Sequence, residues 1–146
     1  DIGGGSGSVS VEWCRLAGRA RSFAIEAKPA RAANIRANAA AFGLEDRLAV
    51  VEGAAPVALD GLPRPDAVFI GGGADEALLA ALWPLMPPGC RLVANAVTLE
   101  TEALYTRWSG LKGGILTRIE IATAAPLGRM RGWAAARPVV QWSVVA

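Results

Sequence analysis

The sequence predicts an α/β fold: a doubly wound, Rossmann-like sheet that is mostly parallel and closes in an antiparallel C-terminal hairpin. Three observations lead there. A glycine string, Asp1-Ile2-Gly3-Gly4-Gly5-Ser6-Gly7, is followed nineteen residues after its last glycine by an acid, Glu26, at the end of a short apolar run. Short apolar runs with little alternation then take turns with stretches of helical period, as in sheets covered on both faces. Only the last two runs alternate like half-solvated antiparallel strands.

In chain order, residues 9–17 read as a helix entered from the glycine string, and residues 21–26 as a strand ending in the acid. Over 30–42, Ile35, Ala39 and Phe42 share a helical face, and Gly43 stands where a C-terminal glycine belongs. Residues 48–51, 67–70 and 92–96 read as buried strands. Between the last two, residues 75–86 carry Leu78, Leu79, Leu82, Trp83 and Met86 on a helical core stripe, ended by Pro87-Pro88-Gly89. Residues 98–108 give a crossover helix capped at or beside Thr98 and broken over 110–114. Residues 115–122 and 139–145 are the closing strands, an antiparallel hairpin at one sheet edge whose strands are joined by a loop over 123–138. A single domain over 1–146 is expected. Only Asp1 and Ile2 precede the glycine string and no Met starts the chain, so the strand before the loop is expected to be incomplete and an N-terminal segment missing.

Composition excludes several classes. Histidine is absent, which removes His-dependent triads and imidazole metal ligands, and no metal site is expected. Cys14 and Cys90 lie far apart in apolar surroundings, as buried reduced thiols of a cytoplasmic protein do. No run approaches the roughly 18 apolar residues of a membrane span. Charge is uneven: residues 1–100 hold 9 basic and 11 acidic side chains, residues 101–146 hold 6 and 2, so the tail carries +4. Such a tail fits a polyanionic partner or simply a solvated surface.

In a doubly wound sheet, ligands sit at the carboxyl ends of the strands. The glycine string, Glu26, residues 52–56 and Gly71-Gly72-Gly73 all open onto that edge. A carboxylate about 20 residues past a glycine loop suits ribose hydroxyls, although a strand-end acid exposed to solvent is the plain alternative. A dinucleotide loop wants glycine at the sixth position of G-x-G-x-x-G, and here that is Ser8. The pattern D-x-G-x-G-x-G, with Asp1, Gly3, Gly5 and Gly7 in its fixed places, instead suits a ligand bearing an ammonium and a sulfonium. S-adenosylmethionine is the cofactor expected.

The strings D-I-G-G-G-S-G-S, N-I-R-A-N, F-I-G-G-G, V-A-N-A-V-T-L-E and P-L-G-R-M-R-G-W together resemble the decarboxylating precorrin methyltransferases of cobalamin biosynthesis, over the length of the chain. The first is shared by class I methyltransferases in general. The resemblance is to the C-terminal half of the fused enzyme, and it implies methylation of a precorrin tetrapyrrole at carbon 15 with decarboxylation of an acetate arm. It further implies a homotetramer, and makes Asp1, Gly3, Gly5 and Gly7 the cofactor loop, Glu26 the ribose partner, and Gly53 and Ala54 the adenine edge.

A tetrapyrrole with many carboxylate arms gives the basic tail a purpose, with Arg129 and Arg131 forking onto carboxylates and Met130 and Trp133 facing the macrocycle. A solvated loop explains the arginines equally well. Gly71 and Gly72 fit either close approach by substrate or a simple turn. Asn95 and Thr98 are polar where a ligand would sit, while capping of the next helix also explains Thr98. No catalytic acid or base is assigned, because an enamine-like macrocycle carbon needs positioning more than a protein base. A nucleic-acid methyltransferase would resemble its relatives in an [DN]-P-P-[YF] string where this chain has Ile70-Gly71-Gly72-Gly73. A non-catalytic cofactor-binding module is the remaining alternative.

Overall fold

The computed structural model describes residues 1–146 as four α-helices and eight strands. The first helix, α1, covers Ser8–Leu16 and is followed by strand β1, Ser22–Glu26. Helix α2, Pro29–Ala41, starts on a proline, whose fixed φ suits a first helical turn. Strands β2 (Leu48–Glu52) and β3 (Ala67–Ile70) lead to helix α3, Glu76–Leu82, where Asp75 caps the first turn by accepting from Leu78 N at 2.8 Å. The expected helix over 75–86 is shorter because Pro84 lacks an amide donor, so residues Trp83–Leu85 tighten into a 3-10 turn. Strand β4 (Arg91–Ala96) and helix α4 (Leu99–Lys112) follow. Gly110 does not break α4, which runs on to Gly113, since one interior glycine costs only about 1 kcal/mol.

Asp1 and Ile2 supply the strand expected before the glycine loop, reduced to bridges from Ile2 to Ile25 and to Ile70, both parallel. This stub joins β2-β1 to β3-β4, and the parallel part of the sheet continues into antiparallel β8 (Val139–Val145) and edge strand β5 (Ile115–Ile119). The two closing strands therefore do pair antiparallel, but β8 is interior, lying between β4 and β5. The residues expected as a loop over 123–138 form a second hairpin, β6 (Ala122–Leu127) and β7 (Met130–Ala135). Its two-residue turn has positive φ only at the first position, Gly128, which is the II′ pattern that matches strand twist.

Helices α1 and α2 pack Val11, Cys14, Ile35 and Ala39 against Ala24 of β1. Helices α3 and α4 pack Leu78, Leu79, Leu82, Leu104 and Tyr105 against Val68, Leu92, Ala94 and Trp142, in a larger cluster that also takes Ile25. Neighbours Ala24 and Ile25 thus point to opposite faces, which is the doubly wound arrangement. Burial alternates along β4, with Val93 and Asn95 half-buried, so this strand is not covered equally on both faces. Glu76 joins α3 to α4 through Arg107 and Trp108 Nε1, and the Arg107 bond, more than that from Trp108, holds its carboxyl below the usual range. Cys14 and Cys90 are free and buried as expected, and burial, with Asp66 nearby, pushes the Cys90 thiol up. No helix is long and apolar enough to cross a membrane.

Candidate functional site

The glycine loop is held by β1, the strand beside the stub it leaves. Gly3 N and Gly4 N both donate to Ile25 O, at 2.9 and 3.0 Å, and Ile25 N donates to Asp1 O at 2.8 Å. Gly7 N then turns back to Gly4 O at 2.7 Å, and Gly7 O accepts the first helical bond, from Val11 N. Gly7 has φ 79° and lies where a Cβ would come within 2.7 Å of Ile35 Cγ2, so only glycine lets α1 start this close to α2. From α2, Asn38 Nδ2 donates to Ser6 O at 2.8 Å.

Glu26 is buried, with only 5% of its surface exposed, which removes the solvated-acid alternative. Its Oε2 accepts from Gly5 N and its Oε1 from Lys28 N, each at 2.9 Å. A carboxylate oxygen has two acceptor directions, so each oxygen keeps one for a further donor. The backbone of the same residue accepts from Gly53 N at 3.1 Å, which ties the segment after β2, with exposed Ala54, to Glu26. On the other side Gly71 N donates to Ile2 O at 3.2 Å, and a Cβ on Gly3 would lie 3.5 Å from Gly72 O. The glycine loop, Glu26, Gly53 and the Gly71–Gly73 turn are therefore neighbours at one sheet edge. The Glu26 carboxylate, with one amide on each oxygen, gives the loop an acceptor-rich floor.

The remaining expected residues occupy other positions. Asn95 Oδ1 accepts from Gln141 Nε2 of β8 at 3.0 Å, while Thr98 caps α4, accepting from Thr101 N and donating to Thr101 Oγ1. Arg129 and Arg131 are exposed on the β6–β7 hairpin, where Ala124, Arg131, Gly132 and Trp133 line an open recess of about 270 Å³. Register fixes where that hairpin starts. Val140 pairs with Ala96 at the carboxyl end of β4, and Ile119 pairs with Val139, so the hairpin is spliced in at the edge that carries the glycine loop.

Two residues that the sequence reading missed belong to this site. Ser10 and Ser22 are buried; Ser22 Oγ donates to Ser10 Oγ at 2.8 Å, and Ser10 Oγ donates to Asp1 Oδ2 at 2.9 Å. The signal was present: Ser10 shares the face of Cys14, one turn on, where an apolar residue is expected. No cluster of three or more His, Cys, Asp and Glu side chains is arranged to hold a metal.

A family model described as a precorrin methyltransferase domain matches residues 1–146. The chain is 51% identical, over 98% of its length, to precorrin-6Y C(5,15)-methyltransferase [decarboxylating] of Sinorhizobium sp, of which it spans 35%. It is 35% identical, over 95% of its length and 73% of the relative's, to a probable cobalt-precorrin-6B C(15)-methyltransferase (decarboxylating) of Pyrobaculum calidifontis. Among solved structures it is similar to the C-terminal domain of precorrin-6Y C5,15-methyltransferase from Rhodobacter capsulatus, with a TM-score of 0.95, 55% identity and coverage of 100% of this chain and 78% of that one. The chain thus spans about a third of the length of the first relative, and the class I methyltransferase fold expected from the sequence is the fold observed.

Proposed function

The chain belongs to the precorrin methyltransferase domain family, and from that premise we propose that it methylates a precorrin tetrapyrrole at carbon 15 and decarboxylates an acetate arm, with S-adenosylmethionine as donor. The observation that carries the reading is the shared edge: the hairpin bearing Arg129, Arg131 and Trp133 is spliced in at the same sheet edge that carries the glycine loop and Glu26. Cofactor and substrate features would otherwise have no reason to lie together.

The residues fit this cofactor. Glu26 keeps an acceptor direction on each oxygen, which matches two vicinal ribose hydroxyls. Asp1 Oδ2 is engaged by Ser10, and Oδ1 has no protein donor, which suits an ammonium group. Gly3, Gly5 and Gly7 put no side chain over the loop, and Gly53 and Ala54 border the adenine side. When bound, S-adenosylmethionine supplies an electrophilic methyl group on a sulfonium.

The chain's own contribution is positioning. Arg129 and Arg131 receive carboxylate arms, Trp133 offers an apolar ring to the macrocycle, and Gly71, Gly72 and Asn95 border the reacting edge. Thr98 enters only through the start of α4, because its hydroxyl is already used as the cap. Excluding water from the acetate arm favours loss of carbon dioxide, with the macrocycle as electron sink. The apolar side chains exposed on β5 and the hairpin, among them Ile115, Leu127, Met130 and Trp133, support a homo-oligomer as well.

Mass measurement after incubation of the chain with a precorrin-6 intermediate and S-adenosylmethionine tests the reading. A product with one added methyl and one carbon dioxide lost is expected. An unchanged tetrapyrrole, at cofactor concentrations that saturate the protein, would overturn it.

A further inference from the structure

Ser10 and Ser22 are unusual choices for their positions. Ser10 lies inside α1, fully buried on the face it shares with Cys14, and Ser22 opens β1 at 3% exposure. Alanine would suit both sites on size and would leave no hydroxyl needing a partner, and in the helix it is also the better former. What the two hydroxyls do instead is bond in series, Ser22 to Ser10 to Asp1 Oδ2.

Chemistry fixes the direction of this series. An ionised carboxylate only accepts, so Ser10 must spend its single proton on Asp1, and Ser22 must then donate to Ser10. Each bond in such a line polarises the next, and the charge-assisted last one is the strongest. Oδ2, which lies 3.8 Å from where a Cβ on Gly4 would stand, is thereby fixed beside the loop, and Oδ1 keeps its acceptor directions without a protein donor. We propose that Ser10 and Ser22 are positioning residues for the cofactor's amino-acid arm: they hold the Asp1 carboxylate in one rotamer, so that Oδ1 meets the ligand's ammonium group. The inference deepens the cofactor reading above and rests on it.

A merely structural role for the serines would affect every ligand at the edge alike. A positioning role acts only on a ligand that carries the amino-acid arm. Calorimetric titration of the chain with S-adenosylhomocysteine, and separately with 5′-methylthioadenosine, which keeps the nucleoside and thioether but lacks that arm, separates the two. In the wild-type chain both ligands bind; absence of both would overturn the cofactor reading and the relay with it. Ser10→Ala is expected to weaken S-adenosylhomocysteine by about tenfold, in line with loss of a charge-assisted bond, and methylthioadenosine by no more than about twofold. Ser22→Ala acts in the same sense and more weakly, and Ser22→Thr, which keeps the hydroxyl, restores wild-type affinity. If Ser10→Ala weakened both ligands equally, or neither, while the wild type bound both, the relay would be wrong and the cofactor reading would stand. Far-UV circular dichroism of each variant confirms that the folded chain is being titrated.

Discussion

Gly7 and Gly43 share a left-handed backbone but not a setting. Their φ values are 79° and 63°, yet a Cβ at Gly7 would strike Ile35 while one at Gly43 would meet nothing within 4 Å. Gly43→Ala is therefore expected to cost about 1 kcal/mol, the left-handed penalty alone. Gly7→Ala adds an overpacking cost of the usual 1–3 kcal/mol, for a total of about 2–4 kcal/mol. Urea unfolding of the two variants measures the difference, and equal losses would show that α1 and α2 yield to the added methyl. At this scale the sequence revealed what spacing can reveal. Glu26 was legible because a carboxylate stands at a fixed distance beyond a glycine string. Ser10 offered only its place on the face of Cys14 and Ser22 nothing comparable, because small polar residues are common on surfaces and burial is what marks the pair out.

Helix α4 shows how one residue can answer to two descriptions. Thr98 accepts from Thr101 N at 3.3 Å with the extended backbone typical of an N-cap, so its hydroxyl supports the helix start. Thr98→Ala is expected to lower stability by about 1 kcal/mol, and Thr98→Ser, which retains the cap, to differ from wild type by only a few tenths. Both variants keep the KM for tetrapyrrole; a rise in KM for Thr98→Ala in the fully folded protein would show that the hydroxyl touches substrate. Elements with a core face were the legible ones: residues 67–70 are β3 as read, and α1, α2 and β1 shift by one residue at most at either end. The β6–β7 hairpin was illegible because no core face organises it. From Ser109 to Val139 no residue is buried, so neither the inside-outside period nor a hydrophobic run marks its strands.

A segment that buries nothing in its own chain has its use elsewhere. Leu127, Met130 and Trp133 are 69%, 75% and 80% exposed, beside Arg129 and Arg131, so apolar surface and positive charge share one hairpin. A flat macrocycle with carboxylate arms asks for that combination, and a second copy of the chain would cover the apolar part that the ligand leaves. Because Ile119 pairs directly with Val139, an Asn-Gly turn can replace residues 120–138 and still close β5 onto β8 with the same register. The shortened protein is expected to keep its core, since both core clusters lie outside the excised residues, and to melt within about 4 °C of the parent. Affinity for S-adenosylhomocysteine should stay within about threefold, because Glu26 and the glycine loop are untouched. Tetrapyrrole affinity should fall by tenfold or more with the two guanidinium forks removed, and light scattering should report a monomer. Undiminished tetrapyrrole binding would remove Arg129, Arg131 and Trp133 from the substrate site, and loss of cofactor binding would show that the hairpin supports the cofactor edge instead.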